Sequence, residues 1–135
     1  MVKKAPGEKS MLIGIDILDL KKIQIIERKY SIMHRLFTPI ELDSVVDFDY
    51  RKRIISLASI FAAKEATVKA LGTGFNDVIG VQDIQVIIDD YGKGRVDLLD
   101  EAKNLADRLG IRKTHLAFDA GKKLVVAMVV LETGE

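Results

Sequence analysis

Cysteine and tryptophan are absent from this chain of 135 residues, and its only histidines are His34 and His115. The lack of cysteine excludes a disulfide framework, a thiol nucleophile and a thiolate zinc site. Two histidines that lie far apart in the sequence do not form a convincing histidine metal site. Because disulfides belong to oxidising compartments, their absence favours a reducing one, and we predict a cytoplasmic protein.

Long apolar runs and strong net charge are also missing. The longest apolar run, Leu124 to Leu131, has eight residues, whereas a transmembrane helix needs about 20. The N-terminus has no apolar signal-peptide core, so we expect no membrane partner. A net charge of +1 and the lack of a recognised binding module argue against a nucleic-acid-binding protein.

The charge that is present is distributed unevenly. Residues 1–35 carry a net charge of +4, and the remainder carries −3. Five of the cations follow the first apolar run: Lys21, Lys22, Arg28, Lys29 and Arg35. A solvated helix face explains such a set, and so does a docking surface for an acidic partner.

Residues 60–74, IFAAKEATVKALGTG, combine charged side chains with an apolar helical pattern that ends at glycines. Glu65 and Lys69 are four residues apart and share a helix face with Phe61. Buried ionised groups need compensation, which a divalent cation and phosphates would supply. The simpler alternative is an exposed ion pair between Glu65 and Lys69.

A second carboxylate stands in the apolar run MLIGIDI, residues 11–17. This run predicts a strand buried on both faces, with Asp16 near its end. A helix N-cap is the structural alternative for Asp16, but Asp19 is better placed for that role. Together, Asp16 and Glu65 would suit Mg2+, which takes one or two carboxylates plus water and substrate phosphate. We therefore predict a magnesium site and a nucleotide-type donor.

These pieces, with several others in the same order, resemble the holo-acyl carrier protein synthases, the small phosphopantetheinyl transferases of fatty-acid synthesis. The resemblance extends from Met11 to Glu132. It rests on Gly14 to Ile17, Arg35 to Thr38 with Glu41, Phe61 to Ala66, Lys69 to Gly74, Asp83 to Val86, Gly92 and Lys93, Leu109 to Ile111, and Val126 to Glu132.

The resemblance implies a Mg2+-dependent transfer of 4'-phosphopantetheine from coenzyme A to a serine of an apo acyl carrier protein, with release of adenosine 3',5'-bisphosphate. By position, Asp16 and Glu65 would be the metal ligands, and Lys69 would neutralise the pyrophosphate. Lys64 and the Gly72-Thr73-Gly74 turn would line the coenzyme A site. The base that accepts the serine proton stays open between Glu65 and a metal-bound water.

The resemblance also implies partners. Members of the family dock acidic carrier proteins on a basic first helix, which makes Lys21, Lys22, Arg28, Lys29 and Arg35 the candidates here. The family forms homotrimers with active sites between neighbouring subunits. Asp16 and Glu65 would then come from one chain, and part of the coenzyme A pocket would come from the next.

Three departures from the family pattern support a rival interpretation. The usual Ser-x-Ser-His segment is Ala117 to Ala120 here, a common arginine is Ile60, and a common glutamate is Ile55. Two hypotheses address what replaces them: Asp119 folds back to the metal, or Lys122 and Lys123 supply positive charge. The alternative is a catalytically impaired homologue that binds coenzyme A or serves a structural role.

The fold class predicted from the pattern is α+β, with a mainly antiparallel sheet packed against helices. We expect a mobile N-terminal extension over residues 1–10 and a single domain over 11–135. Thr38 and Glu41 form a predicted capping box. The predicted helices are 19–33, a helix starting after Thr38, 50–71 and 101–109, and the predicted strands are 11–17, 83–89, 96–98, 114–118 and 123–131.

Overall fold

The computed structural model describes residues 9–134, so residues 1–8 of the predicted extension lie outside it. The helices are α1 (Leu20–Ile26), α2 (Tyr30–Leu36), α3 (Pro39–Asp43), α4 (Tyr50–Leu71) and α5 (Asp100–Leu109). The strands are β1 (Ser10–Asp19), β2 (Ile84–Ile88), β3 (Gly94–Leu98), β4 (Ile111–Ala120) and β5 (Leu124–Thr133). No helix within residues 9–134 has the length and apolar character needed to cross a membrane.

Strand β5 lies at the centre of a three-stranded antiparallel sheet, between β1 and β4. Strands β2 and β3 form a separate antiparallel hairpin. Consecutive strands β4 and β5 are joined by a tight turn, which is typical of antiparallel pairing. The predicted α+β class with antiparallel sheet is confirmed.

Helix α4 packs across one face of this sheet and supplies much of the core. Its backbone approaches β1 at Gly14, where an added Cβ would lie 1.8 Å from the carbonyl oxygen of Ala66. Only glycine permits so close an approach. Because Asp16 follows Gly14 by two residues and Glu65 precedes Ala66, the same contact brings both predicted metal ligands to one place.

The predicted helix over residues 19–33 is wrong in extent, because the structure has two short helices there. Helix α1 ends at Ile26, and α2 begins at Tyr30. No glycine or proline marks the break, so the helical pattern alone does not reveal it. Glu27, the C-cap of α1, pairs with Arg53 of α4 at 3.0 Å, so a tertiary contact lies at the break.

The prediction that residues 11–17 are buried on both faces is also wrong for the single chain. Gly14 and Leu18 are buried, but the alternate side chains of β1 point away from α4 and are exposed. The neighbouring strand β5 continues this exposed apolar surface, which we call the outer apolar face. It consists of Met11, Ile13, Ile15, Ile17, Leu124, Val126 and Met128.

Several local predictions are confirmed. Thr38 and Glu41 form a capping box at the start of α3. The Asp19 side chain accepts a hydrogen bond from the Lys21 N–H and caps α1. Helix α4 has the predicted bounds and ends at Gly72, whose φ of 83° lies in the left-handed region that favours glycine.

Candidate active site

Asp16 of β1 and Lys69 of α4 meet directly, although they are 53 residues apart in the sequence. The Lys69 ammonium donates to Asp16 Oδ1 at 2.8 Å and to the Ile15 carbonyl oxygen at 3.2 Å. The Asp16 side chain is 15% exposed and that of Lys69 is 51% exposed. Asp16 is therefore mostly covered, whereas half of the Lys69 side chain remains open to solvent.

Glu65 belongs to the same cluster. Partial burial raises the pKa of Glu65 above its ordinary value, and the negative charge of Asp16 raises it further. The charges of Lys69 and Lys22 act in the opposite direction. The carboxylates of Asp16 and Glu65 thus repel each other electrostatically, which is the condition that a cation between them would relieve.

A simple ion pair between Glu65 and Lys69 is not what the structure has. Within residues 9–134, the ion pair of Lys69 is with Asp16. Lys69 lies one helical turn after Glu65, but its ammonium contacts the carboxylate of Asp16. The cluster of two acids and one amine fits a ligand site better than a helix-stabilising pair.

The donor set fits Mg2+. Nowhere in the described part of the chain do three or more His, Cys, Asp or Glu side chains group together as ligands. A magnesium ion held by Asp16 and Glu65 would have two protein ligands and would keep its other positions for water and phosphate, which is its usual preference. Zinc, by contrast, usually takes three or four protein ligands.

Lys64 lies in the core and not at this cluster. Its ammonium pairs with Glu41 Oε1 at 2.6 Å, and both side chains are 0% exposed. It also donates to the Leu36 carbonyl oxygen at 2.8 Å. Glu41 in turn accepts from the backbone N–H groups of Thr38 and Val86, each at 2.8 Å. This network joins α3, α4 and β2, so Lys64 has a structural position with no surface for coenzyme A.

The Gly72-Thr73-Gly74 turn closes α4, one turn beyond Lys69. All three backbone N–H groups of the turn point toward the Val68 carbonyl oxygen, at 3.0 to 3.3 Å. The Thr73 hydroxyl is buried and has no hydrogen-bond partner within residues 9–134. A buried hydroxyl without a partner is uncommon, and a ligand at this turn would satisfy it.

The five predicted docking cations, Lys21, Lys22, Arg28, Lys29 and Arg35, are all exposed. Lys22 differs from the others because its charge also reaches Glu65, and its ammonium lies 6.0 Å from the Phe61 ring. Ile25 and Tyr30 are exposed on the same two helices. The surface therefore mixes positive charge with apolar side chains.

A cleft of about 640 Å3 is a feature that the sequence did not reveal. It lies between α4, the segment before it and the β2–β3 turn, and its wall includes Lys52, Ser56, Ile60 and Gly92. Its volume is in the range of small-molecule sites. No local motif could have found it, because its lining comes from four separate segments.

The cleft and the acidic cluster are on opposite sides of α4. Ser56 and Glu65 are nine residues apart in the helix, which places them about 180° apart around its axis. A donor molecule in the cleft of one chain would therefore be directed away from the carboxylates of that chain.

Comparison with known proteins shows what the chain resembles. The model of the 4'-phosphopantetheinyl transferase superfamily matches residues 12–129. The chain is 35% identical to the holo-[acyl-carrier-protein] synthase of Hamiltonella defensa, over 89% of this chain and 95% of the relative. It is 38% identical to that of Clostridium novyi, over 89% and 86%.

A solved structure shows the same similarity. The crystal structure of a holo-(acyl-carrier-protein) synthase from Bacillus anthracis, in complex with CoA (3',5'-ADP), matches with a TM-score of 0.76 and 32% identity. The match covers 92% of this chain and 98% of that one.

Proposed function

Because the chain belongs to the 4'-phosphopantetheinyl transferase superfamily, we propose that it transfers 4'-phosphopantetheine from coenzyme A to a serine of an apo acyl carrier protein. The observation that carries the proposal is the convergence of Asp16, Glu65 and Lys69. Two acids and an amine from a strand and a helix provide the charges that a diphosphate and its cation require. The similar synthase from Bacillus anthracis, solved with CoA (3',5'-ADP), supports coenzyme A as the donor.

In the proposed reaction, the serine hydroxyl oxygen attacks the phosphorus that bears pantetheine. The bond from this phosphorus to the bridging oxygen breaks, and its electron pair leaves with adenosine 3',5'-bisphosphate. The contact of the Lys69 ammonium with Asp16 supports a role for Lys69 in binding the diphosphate. Most of the catalytic effect then comes from positioning and from charge stabilisation, as in other phosphoryl transfers.

Asp16 and Glu65 would hold Mg2+ in this proposal. When bound, the ion would polarise the phosphoryl group and stabilise charge on the leaving oxygen. The serine proton needs a base, and Glu65 is a candidate because it belongs to the acidic cluster. A water on the metal stays the alternative base.

The coenzyme A site would include the Gly72-Thr73-Gly74 turn and the cleft across α4. The turn offers the partnerless Thr73 hydroxyl beside Lys69. The cleft has the volume for a substantial part of the donor. Since the two features lie on opposite sides of α4, one donor molecule would contact the turn of one subunit and the cleft of another.

That arrangement requires an oligomer, and we propose the homotrimer predicted from the sequence. The outer apolar face supports it, because seven large apolar side chains on β1 and β5 are exposed in the single chain. Contiguous exposed apolar surface of this kind marks an interaction site. It also accounts for a strand whose sequence is apolar on both faces.

The proposed carrier surface consists of Lys21, Lys22, Arg28, Lys29 and Arg35. Its exposure supports docking of an acidic partner, and the exposed Ile25 and Tyr30 would add apolar contact. Lys22 connects this surface to the acidic cluster, which would bring a docked serine near Glu65. The proposed location is the cytoplasm, where carrier proteins of fatty-acid synthesis act.

The decisive experiment combines purified protein, coenzyme A, Mg2+ and an apo acyl carrier protein, followed by mass spectrometry of the carrier. We expect the carrier to gain the mass of phosphopantetheine only when Mg2+ is present. A catalytically impaired homologue would be indicated if no carrier is modified while coenzyme A still raises the melting temperature of the protein.

Carrier docking has its own test. Charge reversal at Arg28 and Lys29 should raise KM for the carrier at least about tenfold and leave KM for coenzyme A unchanged. The same reversal at Arg108 and Arg112, which are exposed far along the chain, serves as the control. Equal effects of both variants would contradict a specific docking surface.

A further inference from the structure

A second, smaller cavity is lined by cations. It has a volume of about 230 Å3 and lies between the start of α1, the first turns of α4 and the β4–β5 turn. Its wall includes Lys21, Arg51, Lys122 and Lys123, together with the single carboxylate of Asp19. We call it the basic cavity.

Backbone hydrogen bonds join two of its three segments, and the third, α4, packs against α1. The Leu20 N–H donates to the Lys123 carbonyl oxygen at 2.8 Å, which joins α1 to the β4–β5 turn. The Gly121 N–H donates to the Leu124 carbonyl oxygen at 2.8 Å and closes that turn. The backbone atoms of the four cationic residues are therefore held in fixed positions, and the fold itself brings these residues close together.

None of the four cations has an ion-pair partner within residues 9–134, whereas Arg53, Lys64 and Lys69 each have one. The carboxylate of Asp19 is the only anion in the wall, and it already accepts the Lys21 N–H as a helix cap. Like charges held around one cavity repel each other. A bound anion would remove that repulsion.

We propose that the basic cavity binds a phosphate dianion, either a phosphate monoester or inorganic phosphate. Its volume is below the roughly 300 Å3 at which sites for whole small molecules begin, so a phosphate group fits better than a whole nucleotide. Gln24 and Tyr50, also in the wall, offer neutral hydrogen-bond donors. Four cations suit a doubly charged group better than a single carboxylate.

The basic cavity is separate from the acidic cluster. Ile54 of the cavity and Glu65 of the cluster are eleven positions apart in α4, about 16 Å along the helix, and Asp19 of the cavity follows Asp16 of the cluster by three residues of β1, about 10 Å. A phosphate in the basic cavity is therefore not the phosphate that reacts. The inference rests on the proposed function only for one possible source of the ligand, the ribose phosphate monoester of coenzyme A.

The first test uses inorganic phosphate as the probe and thermal melting as the readout, against chloride at equal ionic strength. We expect saturable stabilisation of the natural protein and about tenfold weaker binding by the Lys122→Gln/Lys123→Gln variant. An Arg108→Gln/Arg112→Gln variant loses the same charge elsewhere and should bind phosphate like the natural protein. No saturable stabilisation, or equal weakening in both variants, would overturn the proposal.

The second test identifies the source of the phosphate by comparing coenzyme A with dephospho-coenzyme A in the transfer assay. If the donor supplies the monoester, dephospho-coenzyme A has the higher KM, and the Lys122→Gln/Lys123→Gln variant loses this discrimination. If free phosphate is the ligand, both donors have the same KM, and phosphate still stabilises protein saturated with coenzyme A. If neither donor supports transfer, the proposed function is contradicted, and the melting test still decides whether the basic cavity binds phosphate.

Discussion

The buried pair of Lys64 and Glu41 allows a sharp prediction about stability. In Lys64→Met, the Glu41 carboxylate would stay at a site with 0% exposure and lose its 2.6 Å ammonium partner. It would keep only the N–H groups of Thr38 and Val86. Removing one partner of a buried pair costs about 3–5 kcal/mol, so we expect a loss of that size in the free energy of unfolding.

The companion variants test the cause of that loss. Glu41→Gln should cost less than Lys64→Met, because burial lowers the pKa of Lys64 and allows the unpaired amine to become neutral. The double variant Glu41→Gln/Lys64→Met has no buried charge at this site. We expect it to be more stable than Lys64→Met by about 2 kcal/mol or more, since a neutral site avoids the cost of an unpaired ion.

Urea unfolding followed by circular dichroism measures these differences, at one fixed protein concentration because the proposed trimer would contribute to stability. The double variant should also keep the KM for coenzyme A of the natural protein, because the Lys64 ammonium reaches no surface. A loss below about 1 kcal/mol in Lys64→Met would refute the structural role. A folded double variant with a raised KM for coenzyme A would show instead that Lys64 contacts the donor.

Three further predictions address the backbone contact, the acidic cluster and the outer apolar face. Gly14→Ala should lower the free energy of unfolding by about 3 kcal/mol or more, since its Cβ would lie 1.8 Å from the Ala66 carbonyl oxygen. The control Gly80→Ala meets nothing within 4 Å and should change that free energy by less than about 1 kcal/mol. Glu65→Gln should lower transfer activity about 100-fold or more, because the proposed Mg2+ site would lose a charged ligand. Without divalent ions, the natural protein should lose stability as the pH rises from 4.5 through the raised pKa of Glu65, and Glu65→Gln should not show this loss. The melting temperature of the variant should therefore rise relative to that of the natural protein over this pH window. A constant difference between the two would contradict the raised pKa. Ile15→Lys should leave the single chain folded but abolish assembly, so sedimentation should give the 15.0 kDa chain; an unchanged trimer mass would refute the assignment of the outer apolar face.

Local signals made much of this fold predictable. The capping box of Thr38 and Glu41 and the αL glycine after α4 have short sequence signatures, and the structure has both. The convergence of Asp16 and Glu65 followed from burial arguments and from the family resemblance. In the structure, the electrostatic interaction between Asp16 and Glu65 is consistent with this prediction.

What the sequence could not predict depends on contacts between distant segments. The break between α1 and α2 coincides with the pairing of Glu27 with Arg53, which no local pattern encodes. Lys64 stands next to Glu65 in the sequence, but its direction into the core is set by Glu41 on another helix. The exposure of alternate β1 side chains was missed because an apolar run does not distinguish a strand covered by its own chain from one covered by a second copy.

The contact of Gly14 with Ala66 has a consequence for how this protein can change. The spacing between Asp16 and Glu65 depends on a contact between the backbone of β1 and the backbone of α4, in which no side chain takes part. Gly14 cannot absorb mutation gradually, because an added Cβ would move strand and helix apart and disturb the spacing of the acids along with the packing. Variation should therefore accumulate in the surrounding surface and leave this one point of closest approach unaltered.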